Sequence, residues 1–150
     1  MLLSSISRNE ALDIDLLIRW QILNTILGNC DGHAKNLSLL MPENNQWELS
    51  PFYDVVTTMI YPKISKSLAF SIGGQKEIGN LHANHWRSFF ESVQVNSTWY
   101  IKKLIQMCDQ APVEFENIRH YFESEYGKCP VLDLIGAQIH ENIRRIKVGI

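Results

Sequence analysis

The sequence predicts a mainly α domain of the α+β class, a helical bundle carrying one small β-hairpin. Two observations lead there. Before residue 28 and after residue 80 the apolar residues recur at three- and four-residue spacings, the period of a helix face. Between them, residues 37–40 and 47–49 read as short strands on either side of Met41-Pro42-Glu43-Asn44-Asn45-Gln46, a stretch rich in breakers. The chain has 150 residues, 45% hydrophobic and 20% charged, which predicts one soluble globular domain spanning 1–150. A domain of that size buries roughly 68–70% of its unfolded surface, enough for a true core.

In chain order, Ser7-Arg8-Asn9-Glu10 is a capping-box pattern, with Ser7 at the cap and Glu10 reaching back. The helix that follows carries Leu12, Leu16, Trp20, Leu23 and Leu27, joined by Ile14, Leu17 and Ile18. That exceeds a single stripe and predicts burial on more than one side. Gly28 ends the helix as a left-handed cap. After the hairpin, residues 55–60 are β-branched and apolar until Tyr61-Pro62-Lys63 breaks them, and Ser65-Lys66-Ser67 reads as a polar loop. Gly73-Gly74 lacks the Gly-x-Gly-x-x-Gly order of a phosphate loop and is read as a turn. Helices are then expected over 85–95 after Asn84, 98–108 after Ser97, 113–126 opened by Pro112 and closed by Gly127, and 131–147 opened by Pro130. Trp86, Phe89, Phe90, Trp99, Ile101, Leu104, Ile105, Phe115, Ile118, Tyr121 and Phe122 are assigned to the core between them. Arg144, Arg145 and Lys147 complement the negative end of the last helix.

A formal charge of −2 and a pI near 6.2 leave no electrostatic footprint for nucleic acid. No run reaches the roughly 18 apolar residues of a membrane span, and the apolar start is too short for a signal peptide, so a cytoplasmic location is expected. Cys30, Cys108 and Cys129 are odd in number and form no Cys-x-x-Cys pair, which fits reduced thiols.

The chemically loaded stretch is Gly28-Asn29-Cys30-Asp31-Gly32-His33-Ala34-Lys35-Asn36. Asp31 is followed five residues later by Asn36, and Asp54 arrives eighteen residues after that, beyond the hairpin. A hairpin brings its ends together, so Asn36 and Asp54 should lie side by side. This is a phosphoryl-transfer layout: an Asp for the acceptor hydroxyl, then an amide and a carboxylate for Mg²⁺, whose remaining ligands are phosphate oxygens and water. Taken singly, Asp31 and Asn36 are ordinary turn residues. Together with Asp54 they form a pattern. Lys35 could neutralise phosphate charge or hold the loop through an ion pair. Cys30 and His33 would be only two ligands of a zinc site, without a third or fourth.

The same stretch, with Leu49-Ser50-Pro51-Phe52-Tyr53-Asp54-Val55-Val56-Thr57-Thr58 and Leu68-Ala69-Phe70-Ser71-Ile72-Gly73-Gly74, resembles the C-terminal lobe of HipA-like serine/threonine kinases, toxins of bacterial toxin–antitoxin systems. The resemblance is specific from about Leu17 to Gly74. It implies a kinase-like C-lobe in which Asp31 is catalytic, Asn36 and Asp54 bind metal and nucleotide, and His33 and Lys35 support the loop or the phosphates. Mg²⁺ and ATP are implied as cofactor and co-substrate. An antitoxin and a protein substrate, such as a translation component, are implied as partners, and Ser65, Lys66 and Ser67 would lie near that substrate. Departures from ordinary kinases are Asn29 for the His of His-Arg-Asp, His33 for the catalytic-loop Lys, and Tyr53-Asp54-Val55 for Asp-Phe-Gly. A kinase also needs a Gly-rich loop and a strand Lys ahead of this loop, yet the thirty residues before Asp31 read as one helix. The expectation is therefore a C-lobe without its nucleotide-binding N-lobe, inactive by itself. The competing expectation is a non-catalytic module that binds an antitoxin or substrate. The enzyme reading requires Asp31, Asn36 and Asp54 to converge beneath an exposed, apolar face.

Overall fold

The computed structural model describes residues 7–41 and 47–150; the expected turn at 42–46 and the apolar start at 1–6 lie outside them. Among the described residues there are four α-helices: α1 (Glu10–Leu27), α2 (Ala83–Ser92), α3 (Ser97–Tyr126) and α4 (Val131–Gly149). Two antiparallel hairpins stand between α1 and α2, one of β1 (Leu39–Leu40) with β2 (Glu48–Leu49), the other of β3 (Ser67–Ile72) with β4 (Gln75–Glu77). The mainly helical α+β expectation holds.

The core forms because α1 sets Ile14, Ile18, Ile22 and Ile26 on one line, four residues apart. Against that line pack Leu68 and Ile72 of β3, Ile78, Leu81, Trp86 and Phe90, Tyr100, Leu104 and Cys108 of α3, and Ile139, Ile143 and Ile146 of α4. Trp20 is buried on another side of α1, beside Phe52 and Phe70. The helix is thus enclosed on more than one side, as its composition required, although Leu12 is 52% exposed. Each fully buried aliphatic side chain contributes about 1.5–3 kcal/mol, so this central helix is the rigid element on which the loops are hung.

Several boundaries differ from the sequence expectation. Asn9, and not Ser7, caps α1: its Oδ1 accepts from the Leu12 amide at 3.2 Å. Ser7 instead bridges to Trp47, the Arg8 amide donates to the Trp47 carbonyl at 2.7 Å, and the Ser7 hydroxyl donates to Asp13 Oδ2 at 2.7 Å. Residues 7 and 8 are held extended against the first hairpin, so the helix starts after them. Helix α2 begins at Ala83, before the proposed cap Asn84. Asn96, one residue ahead of Ser97, caps α3 by accepting from the Trp99 amide at 2.8 Å. Residues 55–60 are not a strand: the chain runs irregularly into a 3-10 turn at Thr58–Ile60. Ser67 opens β3, so only Ser65 and Lys66 of that triplet lie in a loop.

The largest difference is at Pro112, which lies inside α3 and does not open a new helix. A proline's fixed φ suits a helix; its cost is one missing N–H and crowding of the carbonyl four residues back. Packing compensates. Phe115 sits where a side chain at Gly136 of α4 would be, 2.9 Å from that Cβ position, and Arg119 donates to Asp133 at 2.6 Å. Beyond that contact α3 outruns the bundle, so Ile118, Tyr121 and Phe122 are 66%, 68% and 37% exposed instead of core. Trp99 and Ile105 likewise face out. The basic residues near the end of α4 pair with carboxylates, Arg144 and Arg145 with Glu141 and Lys147 with Asp109.

Gly73 and Gly74 make the turn between β3 and β4, both at positive φ, 54° and 86°. A Cβ at Gly73 would lie 2.2 Å from the His85 carbonyl oxygen, whereas nothing stands within 4 Å of one at Gly74. Gly74→Ala should therefore cost about 1–2 kcal/mol, the left-handed penalty alone. Gly73→Ala should cost more than about 3 kcal/mol, because backbone must also move. Urea unfolding of both variants checks it; equal losses would contradict the packing of α2 on this turn.

Candidate functional site

The site begins where α1 stops. Gly28 takes the left-handed conformation, φ 71° and ψ 40°, and its N–H turns back to the carbonyls of Asn24 and Thr25. A side chain there would meet Asn142 Nδ2 and Met59 Sδ, each 2.8 Å from the Cβ position. The chain is thereby redirected into the loop carrying Asp31. The Asn29 side chain, 2% exposed, secures that loop. Its Nδ2 donates to Asn24 Oδ1 at 2.9 Å and reaches the Asp54 carbonyl at 3.5 Å, while its Oδ1 accepts from the Asp31 amide at 3.0 Å. The Asp31 side chain itself is 70% exposed.

A 3-10 turn at Ala34–Asn36 buries Asn36 to 4% exposure. Asn36 Oδ1 accepts from the His33 amide at 2.9 Å, and Asn36 Nδ2 donates to Asp54 Oδ2 at 2.5 Å. The hairpin does what its register dictates. Leu39 pairs with Leu49, Leu40 with Glu48, and the Ser50 amide donates to the Ser38 carbonyl at 2.9 Å, which returns the chain beside Asn36. Tyr53 then docks its hydroxyl on the Lys35 carbonyl at 2.8 Å, with Ser38 Oγ also at 2.8 Å. Asp54 turns in at φ 55°, one of two residues other than glycine at positive φ among those described. That conformation is uncommon, and Asp and Asn are the side chains that tolerate it best.

The structure brings Asn36 into contact with Asp54 and sets His33 beside Asp31, with Asn29 touching both the Asp31 amide and the Asp54 carbonyl. His33 Nε2 stands 3.8 Å from Asp31 Oδ1. Lys35 is exposed, and among the described residues no ion pair involves it, so the loop is held by its backbone carbonyl and not by its charge. The donor set suits a hard cation: a carboxylate and an amide oxygen, with room in the coordination shell for phosphate oxygens and water. Among the described residues no three His, Cys, Asp or Glu side chains cluster as an all-protein metal site would need, and Cys30 is buried against Thr58. Exposed Leu40, Tyr53 and Val56 stand near the site on the hairpin and the segment carrying Asp54. A cavity of about 460 Å³ opens between the start of α1 and the first hairpin, lined by Leu12, Leu16, Leu40, Leu49, Pro51 and Phe52 among others; it excludes Asp31, Asn36 and Asp54.

Asn24, Asn29, Thr58 and Asn142 hold the loop; from sequence Asn29 was named only as standing for the His of His-Arg-Asp, and the other three were given no role. Their signal was polar side chains at the buried end of an otherwise apolar helix, and one amide inside the last helix.

The HipA-like C-terminal domain model matches residues 1–115. The chain is 24% identical to a Sinorhizobium fredii protein named "Putative kinase Y4mE", over 89% of this chain and 35% of that one. It is 25% identical to the serine/threonine-protein kinase toxin HipA of Shewanella oneidensis, over 64% of this chain and 22% of the toxin. Among solved structures it superposes on a chain from the complex of Shewanella oneidensis HipA, HipB and operator DNA. That match has a TM-score of 0.84 and 20% identity, and covers 97% of this chain and 34% of that one. This chain thus spans about a third or less of the length of these relatives.

Burial pushes the Cys108 thiol up to about 11, and burial also raises that of Cys30, partly offset by the Thr58 hydroxyl and the nearby Lys66 charge. Both are held protonated, so at neutral pH a thiol reagent should modify the half-buried Cys129 first. The sign for stability follows from the raised folded values. Neutral thiols favour the fold fully below the ordinary value of 9.0, and stability should fall as pH rises from about 9 toward 11. Denaturant titrations across that window, with labelling by mass, check both; stability rising there would contradict the assignment.

Proposed function

The chain belongs to the HipA-like C-terminal domain family, and on that premise we propose that it is the C-terminal lobe of a serine/threonine protein kinase. The observation that carries the reading is the contact between Asn36 and Asp54, eighteen residues apart in sequence and 2.5 Å apart in space, with the Asp31 amide tied through Asn29 to the segment carrying Asp54. Asp31 is exposed where an acceptor can reach it, and its carboxylate orients the serine or threonine hydroxyl and takes its proton as that oxygen bonds the γ-phosphorus of ATP, the bond from that phosphorus to the β–γ bridging oxygen breaks and ADP leaves. Asn36 and Asp54 would hold Mg²⁺. When bound, that ion supplies charge compensation at the transferring phosphoryl group. His33 is placed beside Asp31 to keep its side chain directed outward, and Lys35, on the exposed side of the same turn, is available to the phosphates.

Transfer also needs a nucleotide-covering lobe with a Gly-rich loop and a strand lysine, and the lobe described here works together with one. The apolar side chains near the hairpin, Leu40, Tyr53 and Val56, are its proposed seat. By likeness to the solved complex of a toxin, HipB and operator DNA, an antitoxin is the proposed partner and a toxin the proposed whole. The protein substrate is proposed to be a translation component. No helix among the described residues is long and apolar enough to cross a membrane; a cytoplasmic location is part of the proposal and does not rest on that absence.

With the N-terminal lobe supplied, Asp31→Asn should lower phosphate transfer roughly 10²–10⁴-fold while ATP affinity stays within about twofold. Asp54→Asn should instead weaken binding of the metal–nucleotide complex. In the chain alone, calorimetry should find weak Mn²⁺ binding that tightens with ATP and disappears in Asp54→Ala. Full transfer activity in Asp31→Asn would discard the kinase reading in favour of a non-catalytic binding module.

A further inference from the structure

Four residues after Asp54 the chain folds into the 3-10 turn Thr58–Ile60, and there the Thr58 side chain is only 8% exposed. Its hydroxyl donates to the Gly28 carbonyl at 3.1 Å and accepts from the Cys30 amide at 2.8 Å. The next amide, that of Met59, donates to the same Gly28 carbonyl at 3.1 Å. One hydroxyl and one amide from the segment carrying Asp54 thus engage the residues three places and one place before Asp31.

We propose that Thr58 is a positioning residue, whose hydroxyl clasps the Asp31 loop to the Asp54 segment and fixes the distance between the two carboxylates. The inference rests on the kinase reading of that site. Its chemistry is specific. The Gly28 carbonyl and Cys30 amide lie past the end of α1, where backbone groups have lost their helical partners and must find others when buried. A bridge between a carbonyl and an amide two residues apart needs one small group that both donates and accepts, which a threonine hydroxyl does and an isosteric valine cannot. The clasp also has something to pull against. Asn142 of α4, fully buried, donates through Nδ2 to the Ile26 carbonyl at 3.1 Å, and Gln138 donates to its Oδ1 at 2.9 Å. Gly28 is therefore held from α4 on one side and from Thr58 on the other. Other side-chain links join the two segments: Asn36 to Asp54 at 2.5 Å, the Tyr53 hydroxyl to the Lys35 carbonyl at 2.8 Å, and Asn29 to the Asp54 carbonyl at 3.5 Å, at the limit of a hydrogen bond. The connection at Thr58 is the one that is buried and that acts directly before Asp31.

A residue that only filled space or stabilised the fold would change unfolding and leave the kinetic constants of the folded fraction alone. A positioning residue changes turnover. In the kinase completed by its N-terminal lobe, Thr58→Val should lower kcat about 10²-fold, the scale of a displacement near 1 Å at a reacting group, with the KM for ATP within about twofold. Thr58→Ser keeps the hydroxyl and should return kcat to within a few-fold of wild type. Valine and serine variants equally impaired, or a valine variant with wild-type kcat, would overturn the proposal. Hydrogen exchange on the chain described here gives a second readout that needs no activity. The Cys30 amide should be protected in wild type and Thr58→Ser and exposed in Thr58→Val, with the α1 amides from Ile18 to Ile22 unchanged. A Cys30 amide that exchanges freely in wild type overturns the clasp even if the valine variant fails to fold. Asp31→Asn in the same assay separates the two failures: full activity there sinks the kinase reading, whereas a dead Asp31→Asn beside a fully active Thr58→Val sinks only the clasp.

Discussion

At Gly28 there is no room for a side chain. The last turn of α1 is enclosed between α4 and the segment that follows Asp54, and the chain must leave it through a left-handed residue pressed against Asn142 and Met59. A cap with any other residue would need both backbone strain and 2.8 Å contacts relieved. The abrupt reversal puts Asn29 underneath, buried, and Asp31 outward, exposed, within three residues. Orientation of the candidate catalytic carboxylate is thus a consequence of how one helix ends.

The same enclosure explains why so many polar side chains are buried near the end of an apolar helix. Gln21, Asn24 and Thr25 all lie inside. Burying an amide or hydroxyl without a partner costs about 1–3 kcal/mol, and most of these groups are spoken for. Thr25 donates back to the Gln21 carbonyl at 2.8 Å, Asn24 receives Asn29, and Asn142 receives Gln138 while donating to Ile26. Asn24 Nδ2 has no partner among the described residues, and the bonds that are made restrict how the loop can be arranged. Farther out, α3 and α4 are tied by exposed ion pairs such as Arg119 with Asp133 and Lys147 with Asp109. Exposed pairs contribute at most about 1 kcal/mol each, so precision is concentrated around Gly28.

What could be read from sequence divides along the same line. Gly28 as cap, the hairpin return from Asn36 to Asp54, the Gly73-Gly74 turn and the start of α4 after Pro130 depend on local stereochemistry, and all were legible. The continuity of α3 through Pro112 was not, because it depends on Phe115 meeting Gly136 in another helix. The cap at Asn9 was missed because Ser7 is drawn away by Trp47, forty residues on. The exposure of Ile118 and Tyr121 was missed because periodicity reports that a face is apolar, not that a neighbour covers it. At the site, the residues that would touch substrate or metal stood out by spacing. Of those that hold them, Asn24, Thr58 and Asn142 did not, because each is an ordinary polar residue until its partner in another element is known, and Asn29 stood out only by its motif position, not by the bonds it makes.

The contact between Asn36 and Asp54 also bears on how such a site is switched. Each satisfies the other, Nδ2 on Oδ2 at 2.5 Å, and Asn36 Oδ1 is further occupied by the His33 amide. A cation entering alone must compete with these bonds and would gain only two protein oxygens, a poor exchange for an ion as reluctant to dehydrate as Mg²⁺. Arriving with phosphate oxygens already in its shell, it needs little rearrangement from the protein. The arrangement favours the metal–nucleotide complex over either component. In the proposed kinase, the lobe that grips the nucleotide would set when these carboxylates are put to use.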